Sequence, residues 1–106
     1  MADPRLAEGL ALSRVTTLLA ALENKDYVVS CATLGFFLDP LYCSDALPFL
    51  LQGLSFEWIV KSVAAAGDGA VVGVRMTAPG GKGVKKDYMI YLYRYRDFGW
   101  QIVNIG

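Results

Sequence analysis

Residues 67–83 read GDGAVVGVRMTAPGGKG, a glycine cluster at each end of an apolar run. A phosphate-cradling loop needs its glycines between a strand and a helix, so that free amides at the helix start point at the anion. Here Gly67-Asp68-Gly69 is followed by strand-like alternation. Ala70, Val72, Val74 and Met76 alternate with Val71, Gly73, Arg75 and Thr77. Gly80-Gly81-Lys82-Gly83 also leads into an alternating run, and neither cluster has GxGxxG or Walker-type spacing. Both are therefore read as hairpin turns, the Asp-Gly pair being a favoured two-residue connection. If Ala78 pairs with Val84, Val74 faces Tyr88 and Val72 faces Ile90, which collects the apolar residues on one face.

Working outward, the same period of two recurs from residue 56 to the end. Phe56, Trp58 and Val60 alternate with Glu57, Ile59 and Lys61; Tyr88, Ile90 and Leu92 alternate with Met89, Tyr91 and Tyr93; Trp100 and Ile102 alternate with Gln101 and Val103. Four strands separated by glycine-bearing turns predict an antiparallel meander. The length of the last turn, around Asp97-Phe98-Gly99, decides which face the final strand presents, and Trp100 is expected inside. Before residue 53 the period is helical. Leu6, Leu10, Val15, Leu18, Leu19 and Leu22 form one stripe of a long helix, with Asp3-Pro4 suited to its start. Asn24-Lys25-Asp26 breaks it, and Asp26 can cap a second helix over residues 27–36. Leu38-Asp39-Pro40 ends that helix. Ser44 or Asp45 can cap a further turn through residues 47–51, closed by Gly53.

The predicted fold is thus α+β: an N-terminal long helix plus one or two short helices packed on a curved, four-stranded antiparallel sheet. All 106 residues form one domain, with helices over about 5–52 and the sheet over about 54–106. Ten basic and ten acidic residues cancel, so the chain lacks the electrostatic footprint of a nucleic-acid binder. Lys82, Lys85 and Lys86 are read as a solvated turn. The apolar segment 6–22 carries Glu8, Arg14 and several hydroxyls, so no membrane span and no signal peptide is expected. The expected location is the cytoplasm, or a secreted or periplasmic one had a leader been removed.

Histidine is absent, which excludes Ser-His-Asp and Cys-His catalysis and any imidazole metal site. No metal or cofactor is expected. Cys31 and Cys43, 12 apart, permit a disulfide, but two buried thiols are the preferred reading. The acids nearest the helix–sheet junction are Asp39, Asp45 and Glu57. Asp39 is the one retained as a candidate general acid or base, and no catalytic set is assigned.

Both sheet faces are apolar. Opposite the core set lie Met89, Tyr91, Tyr93 and Tyr95, joined by Ile59, Val63, Val71 and Val103. Two helices cover only one face, so the other is a candidate association surface, rich in the aromatic residues and Met that interface cores favour. A homodimer joined sheet to sheet is expected.

Three segments carry a family resemblance. ALENKDYVVSCATLGFFLDP resembles the opening helices of nuclear transport factor 2-like domains, and GDGAVVGVRMTAPGGKG their hairpin. YMIYLYRYRDFGWQIVNI is similar to their closing pair of strands. The resemblance implies a cone in which the sheet wraps the long helix, often dimeric through the outer face. It also implies relatives ranging from ketosteroid isomerase, scytalone dehydratase and polyketide cyclases to non-enzymatic binding and assembly modules. The chain departs from those enzymes: it has no histidine and no Asp at the inward strand positions. Phe36, Phe37, Tyr42 and Phe49 are placed to close the cone mouth. The leading expectation is a non-catalytic association or small apolar ligand-binding module. Its pocket, if hollow, is expected at Tyr27, Phe37, Tyr42, Trp58, Met76 and Trp100, and its interface at Ile59, Val71, Met89, Tyr91, Tyr93 and Tyr95. The alternatives are an isomerase-, dehydratase- or cyclase-like enzyme on a hydrophobic substrate, and a subunit of a larger transport or secretion assembly.

Overall fold

A computed structural model describes residues 4–50, 57–77 and 85–106. Asp3, Gly53, Phe56, the Phe49 side chain, the second glycine loop and Lys82 lie outside the described residues, as does the Ala78–Val84 pairing. The element order is α1 (Pro4–Glu23), α2 (Tyr27–Thr33), α3 (Pro40–Leu50), β1 (Glu57–Ala66), β2 (Gly69–Thr77), β3 (Lys85–Tyr95) and β4 (Gly99–Ile105). The four strands form one antiparallel sheet in chain order, the meander read from the alternation.

The hairpin of β1 and β2 turns on Gly67 and Asp68, because Ala66 pairs with Gly69. Gly67 alone takes a positive φ of 60°, the pattern of a type II′ turn, so the turn pair is Gly-Asp and not Asp-Gly. The hairpin of β3 and β4 has a three-residue turn, Arg96 to Phe98, closed by Gly99 at φ 68°. Glycine takes that left-handed conformation without the Cβ clash other residues meet. Between β2 and β3 the register is Val72 to Ile90 and Val74 to Tyr88, as the alternation requires.

Two irregularities change the expected faces. The β1–β2 register shifts between Val60 and Ser62, so Val63 packs against the core and does not join Ile59 outside. The β3–β4 register shifts at Tyr91 and Leu92 and leaves Val103 without a partner. Such bulges insert one residue, flip the side-chain alternation and bend the strand.

Helix α1 lies across β1, β2 and β4, while α2 packs on α1 and α3 on α2. The helix does not use the expected leucine stripe throughout. Ala7, Ala11, Val15, Leu18 and Leu19 are its buried side, whereas Leu6 and Leu10 are 61% and 50% exposed. At the N-terminal end the small alanines take the buried side and the two leucines face outward. At its C-terminus, Asp26 N–H donates to Ala21 C=O (2.8 Å) and Lys25 N–H to Leu22 C=O (3.1 Å). With Lys25 at φ 57° this is a Schellman cap, with lysine where glycine is usual.

Asp26 caps α2 as expected, its carboxylate accepting from Val29 N–H at 3.2 Å. That helix ends earlier than expected, with Leu34 as its C-cap. Helix α3 begins at Pro40, ahead of the predicted Ser44 or Asp45 start. The Asp39 carboxylate accepts from Leu41 N–H (2.9 Å) and Tyr42 N–H (3.2 Å), and Pro40 needs no acceptor at the first helical position. Cys31 of α2 and Cys43 of α3 are joined by a disulfide, which corrects the free-thiol expectation. The two helices fold back on each other and bring the Cα atoms to 5.6 Å, within bridging reach.

The core joins α1 to the inner sheet face. Val72, Val74, Ile90, Leu92 and Ile102 are at most 3% exposed, and Trp100 sits among them at 7%. Buried Ser30 and Thr33 donate back to the carbonyls of Asp26 (2.8 Å) and Val29 (2.7 Å) within α2, so neither hydroxyl is stranded.

Candidate association surface

The outer sheet face is built by the residues that alternate with the core set. Adjacent strands place Ile59, Arg75 and Asp87 in one row, then Ser62, Gly73 and Met89, then Ala64, Val71 and Tyr91, then Ala66, Gly69 and Tyr93. Ile59, Met89, Tyr91 and Tyr93 are 54, 41, 43 and 45% exposed, and Val71 is half-buried. No described element covers them.

The face has relief. A shallow hollow of about 380 Å³ lies at this end of the sheet, lined by Ala64, Ala66, Gly69, Val71 and Tyr91 of the outer rows and by Ala65, Ala70 and Leu92 of the row between them. Tyr91 stands along its β3 side, and Tyr93 lies in the next row opposite Gly69. Gly73 lies at the floor of the next row, where a methyl group would come within 2.5 Å of Ser62 Oγ and 3.4 Å of Met89 Sδ. Those two side chains fold over the glycine, and the lack of a Cβ is what admits them.

The polar rim is one row away. Arg75 Nε and Nη2 donate to the two Asp87 carboxylate oxygens at 2.7 and 3.2 Å. These hydrogen bonds, with the guanidinium charge, hold the Asp87 carboxyl below its ordinary range and raise Arg75 above its own. At the far end Arg94 grips Asp68 through Nη2 and Nε at 2.7 and 3.0 Å, tying β3 to the first hairpin turn. A cleft of about 610 Å³ opens there between Asp68, Tyr93, Arg94, Tyr95 and Arg96.

The expected interface residues therefore come together, with one difference. Tyr95 is half-buried and stacks within the chain, its ring 4.7 Å from Phe36 and 4.9 Å from Tyr93, with Phe98 5.4 Å from Phe36. It borders the patch as part of an intramolecular aromatic cluster. The six expected pocket residues do not converge. Trp58 and Met76 are cross-strand partners packed on the core near the end of α1, where Trp58 Nε1 donates to Glu23 at 3.0 Å. Trp100 lies against the middle of α1, sharing a pocket with Leu10, Ser13, Arg14 and Thr17. Phe37 and Tyr42 are exposed at 36% and 62%, and Tyr27 is half-buried. Asp39 is engaged as a helix cap at an exposed position. Among the described residues no cluster of metal-ligating side chains forms, and no helix is long and apolar enough to cross a membrane.

A long helix with short ones against a bulged antiparallel meander defines the nuclear transport factor 2-like, or cystatin-like, fold. Comparison with solved structures agrees. The chain matches a domain of unknown function with a cystatin-like fold from Nostoc punctiforme, at 16% identity and a TM-score of 0.71, over 93% of this chain and 75% of that one. It matches a provisionally assigned dehydratase of the NTF2-like family from Streptomyces avermitilis at 13% identity and a TM-score of 0.69, over 97% and 95%. It also matches a provisionally assigned calcium/calmodulin-dependent protein kinase II association domain from Xanthomonas campestris, at 16% identity and a TM-score of 0.57, over 86% and 79%. No family model matches the sequence, and a search of the curated proteins gives no match. The likeness is one of fold.

Proposed function

We propose that this chain is a non-catalytic association module that pairs with a second copy of itself through the outer sheet face. The observation that carries this reading is the row of exposed apolar residues Ile59, Met89, Tyr91 and Tyr93 on a face that the chain does not cover. Strands of 7 to 11 residues give a face of roughly 600 Å² in plan, at about 3.3 Å per residue and 4.8 Å per strand. That is close to the ~800 Å² of accessible surface per partner in a standard interface. The patch also pairs ridge with hollow: Tyr91 and Tyr93 stand beside the trough of Ala64, Ala66 and Gly69. A two-fold axis brings each ridge into the partner's trough, as an isologous contact requires. A net formal charge of +0 leaves no overall charge repulsion between copies. The association-domain neighbour is in keeping with this reading and does not carry it.

Catalysis is not part of the proposal. The inward strand positions hold Trp58, Val60, Val63, Ala65, Val72, Val74, Ile90, Leu92 and Ile102, with no carboxylate among them. The Cys31–Cys43 bridge supports an oxidising compartment over the cytoplasmic location expected from sequence.

Sedimentation at micromolar concentration tests the pairing. Wild type is expected at twice the 11.5 kDa chain mass, and Tyr91→Asp as a monomer with an unchanged circular dichroism spectrum. Leu41→Asp, still more exposed than Tyr91 but on α3, is expected to remain dimeric. A monomeric wild type, or a dimeric Tyr91→Asp, overturns the proposal.

A further inference from the structure

A second site lies on the helix side of the sheet and does not rest on the pairing proposed above. Between α1 and the edge strand β4 is a pocket of about 300 Å³, lined by Leu10, Ser13, Arg14, Thr17, Gly99 and Trp100. Its walls carry apolar surface from Leu10 and the indole, hydroxyls from Ser13 and Thr17, and one permanent charge, Arg14. No carboxylate lines it.

The hydrogen bonding around that charge is one-sided. Arg14 Nη2 donates to Gln101 Oε1 at 2.8 Å. The Gln101 amide is oriented by its own Nε2, which donates to Phe98 C=O at 2.7 Å, so its oxygen is held toward Arg14. A guanidinium has five N–H donors, and this is the one bond Arg14 makes among the described residues. Its Nε is closed to solvent and has no acceptor. Trp100 Nε1 is likewise buried without an acceptor, in a residue only 7% exposed as a whole. These are the only two such side-chain atoms among the described residues, and both belong to residues of this pocket.

An unsatisfied buried donor costs about 1–3 kcal/mol, so two in one place call for an explanation. Both are donors, one belongs to a cation, and neither faces an acid. Arg94, 5.8 Å from the indole ring, adds a second cation nearby, itself neutralised by Asp68. What the pocket lacks is an acceptor with negative charge. A carboxylate matches the guanidinium fork through two oxygens, and a short hydrocarbon body fits against Leu10 and the indole.

We infer that the α1–β4 pocket binds a small monocarboxylate with an apolar tail, held by Arg14 and Trp100. The volume is at the lower end for ligand sites and suits about ten heavy atoms. Octanoate has that size and is the probe for the test. The chain has two tryptophans, so two indole N–H resonances report in an ¹⁵N-labelled sample. Trp58 Nε1 already donates to Glu23 and serves as the internal control; Trp58→Phe assigns the pair.

Octanoate is expected to shift the Trp100 indole resonance saturably and leave Trp58 in place. Octanol, with the same chain and no charge, is expected to bind at least tenfold more weakly. Arg14→Gln is expected to weaken octanoate by about ten- to a hundredfold, the loss of a charge-assisted pair. Arg14→Lys, which keeps the charge without the fork, is expected to fall between. The dispersion of the Trp58 resonance verifies that each variant is folded. Equal binding of octanol, equal shifts at both indoles, no saturable shift, or undiminished octanoate binding by folded Arg14→Gln would each overturn the inference. Octanoate binding that persists in the Tyr91→Asp background separates this site from the association surface.

Discussion

The inner and outer faces of the sheet are made by the same strands, one residue out of step, and both are apolar. Val72, Val74, Ile90, Leu92 and Ile102 lie inside at 0–3% exposure, whereas Ile59, Met89, Tyr91 and Tyr93 stand outside at 41–54%. The inner set is aliphatic and β-branched, shaped to interlock with the alanines and leucines of α1. The outer set is tyrosine and methionine beside alanine and glycine, side chains that tolerate water at one end and still bury a large apolar body. Packing therefore selects the inner residues for shape, while the outer ones leave apolar area exposed on a face the described elements do not cover. On the pairing proposed above, apolar alternation on the two faces belongs to two different assembly steps: folding for one, association for the other.

Truncating one residue on each face separates those steps and carries the largest expected effect. Ile102→Ala, at 0% exposure, is expected to lower unfolding free energy by about 2–5 kcal/mol, because the buried site collapses only in part. The loss should be the same at all protein concentrations. Tyr91→Ala is expected to cost no more than about 0.5 kcal/mol in dilute protein. Its cost should grow with concentration, since a dimer contributes stability by mass action. Urea unfolding at several concentrations reads both. A concentration-independent cost for Tyr91→Ala as large as that for Ile102→Ala would mean the outer face is core by another name.

The inner face also depends on what holds its cover. Helices α2 and α3 reach the core mainly through α1, and the Cys31–Cys43 bridge ties them to each other. Closing a loop of this separation removes chain entropy worth about 3 kcal/mol. The double variant Cys31→Ala, Cys43→Ala is expected to lose about that much in thermal or urea unfolding, and reductant should do the same to wild type. Association should be untouched, because neither cysteine borders the outer patch. Loss of the dimer in the oxidised-to-reduced comparison would tie the two faces together and break the distinction.

How much of this was legible follows from which physical signal each element carries. Strand alternation has a period of two and survives in any context, so the meander, the Val72–Ile90 register and the outer tyrosines could be read directly. The bulge between Val60 and Ser62 has no glycine or proline on its own strand, only Gly73 across from Ser62 to hint at it, and it carried Val63 to the core. Counting leucines above alanines placed Leu6 and Leu10 inside, but the small alanines take the buried side. The disulfide needed a distance that a separation of 12 cannot supply. Asp39-Pro40 held the cap of α3 in plain form, an acceptor followed by the residue best suited to a first helical turn. Arg14 and Gln101 are 87 residues apart, and only the fold joins them; the one available hint was an arginine within the apolar run LALSRVTTLLA.

The smallest expected effect probes the rim, where the two environments meet. Asp87 has a folded-state pKa below its ordinary value, chiefly through its hydrogen bonds from Arg75. A group depressed on folding contributes stability that is fully present above its unfolded pKa, about 3.9 for Asp, and is lost as pH falls through the folded value. Wild type should therefore lose stability more steeply than Asp87→Asn over that acid range and run parallel to it at neutral pH. A carboxylate titration followed by NMR should place Asp87 below 3.8. Salt then sharpens the comparison of faces. In monomeric Tyr91→Asp the pair is wet, and screening at 1 M ionic strength, with a Debye length of about 3 Å, should erode the depression. If wild type pairs as proposed, a second sheet laid over the same row should exclude ions and preserve it. Equal salt sensitivity in both would mean that the outer face is as open in the assembled protein as in the single chain.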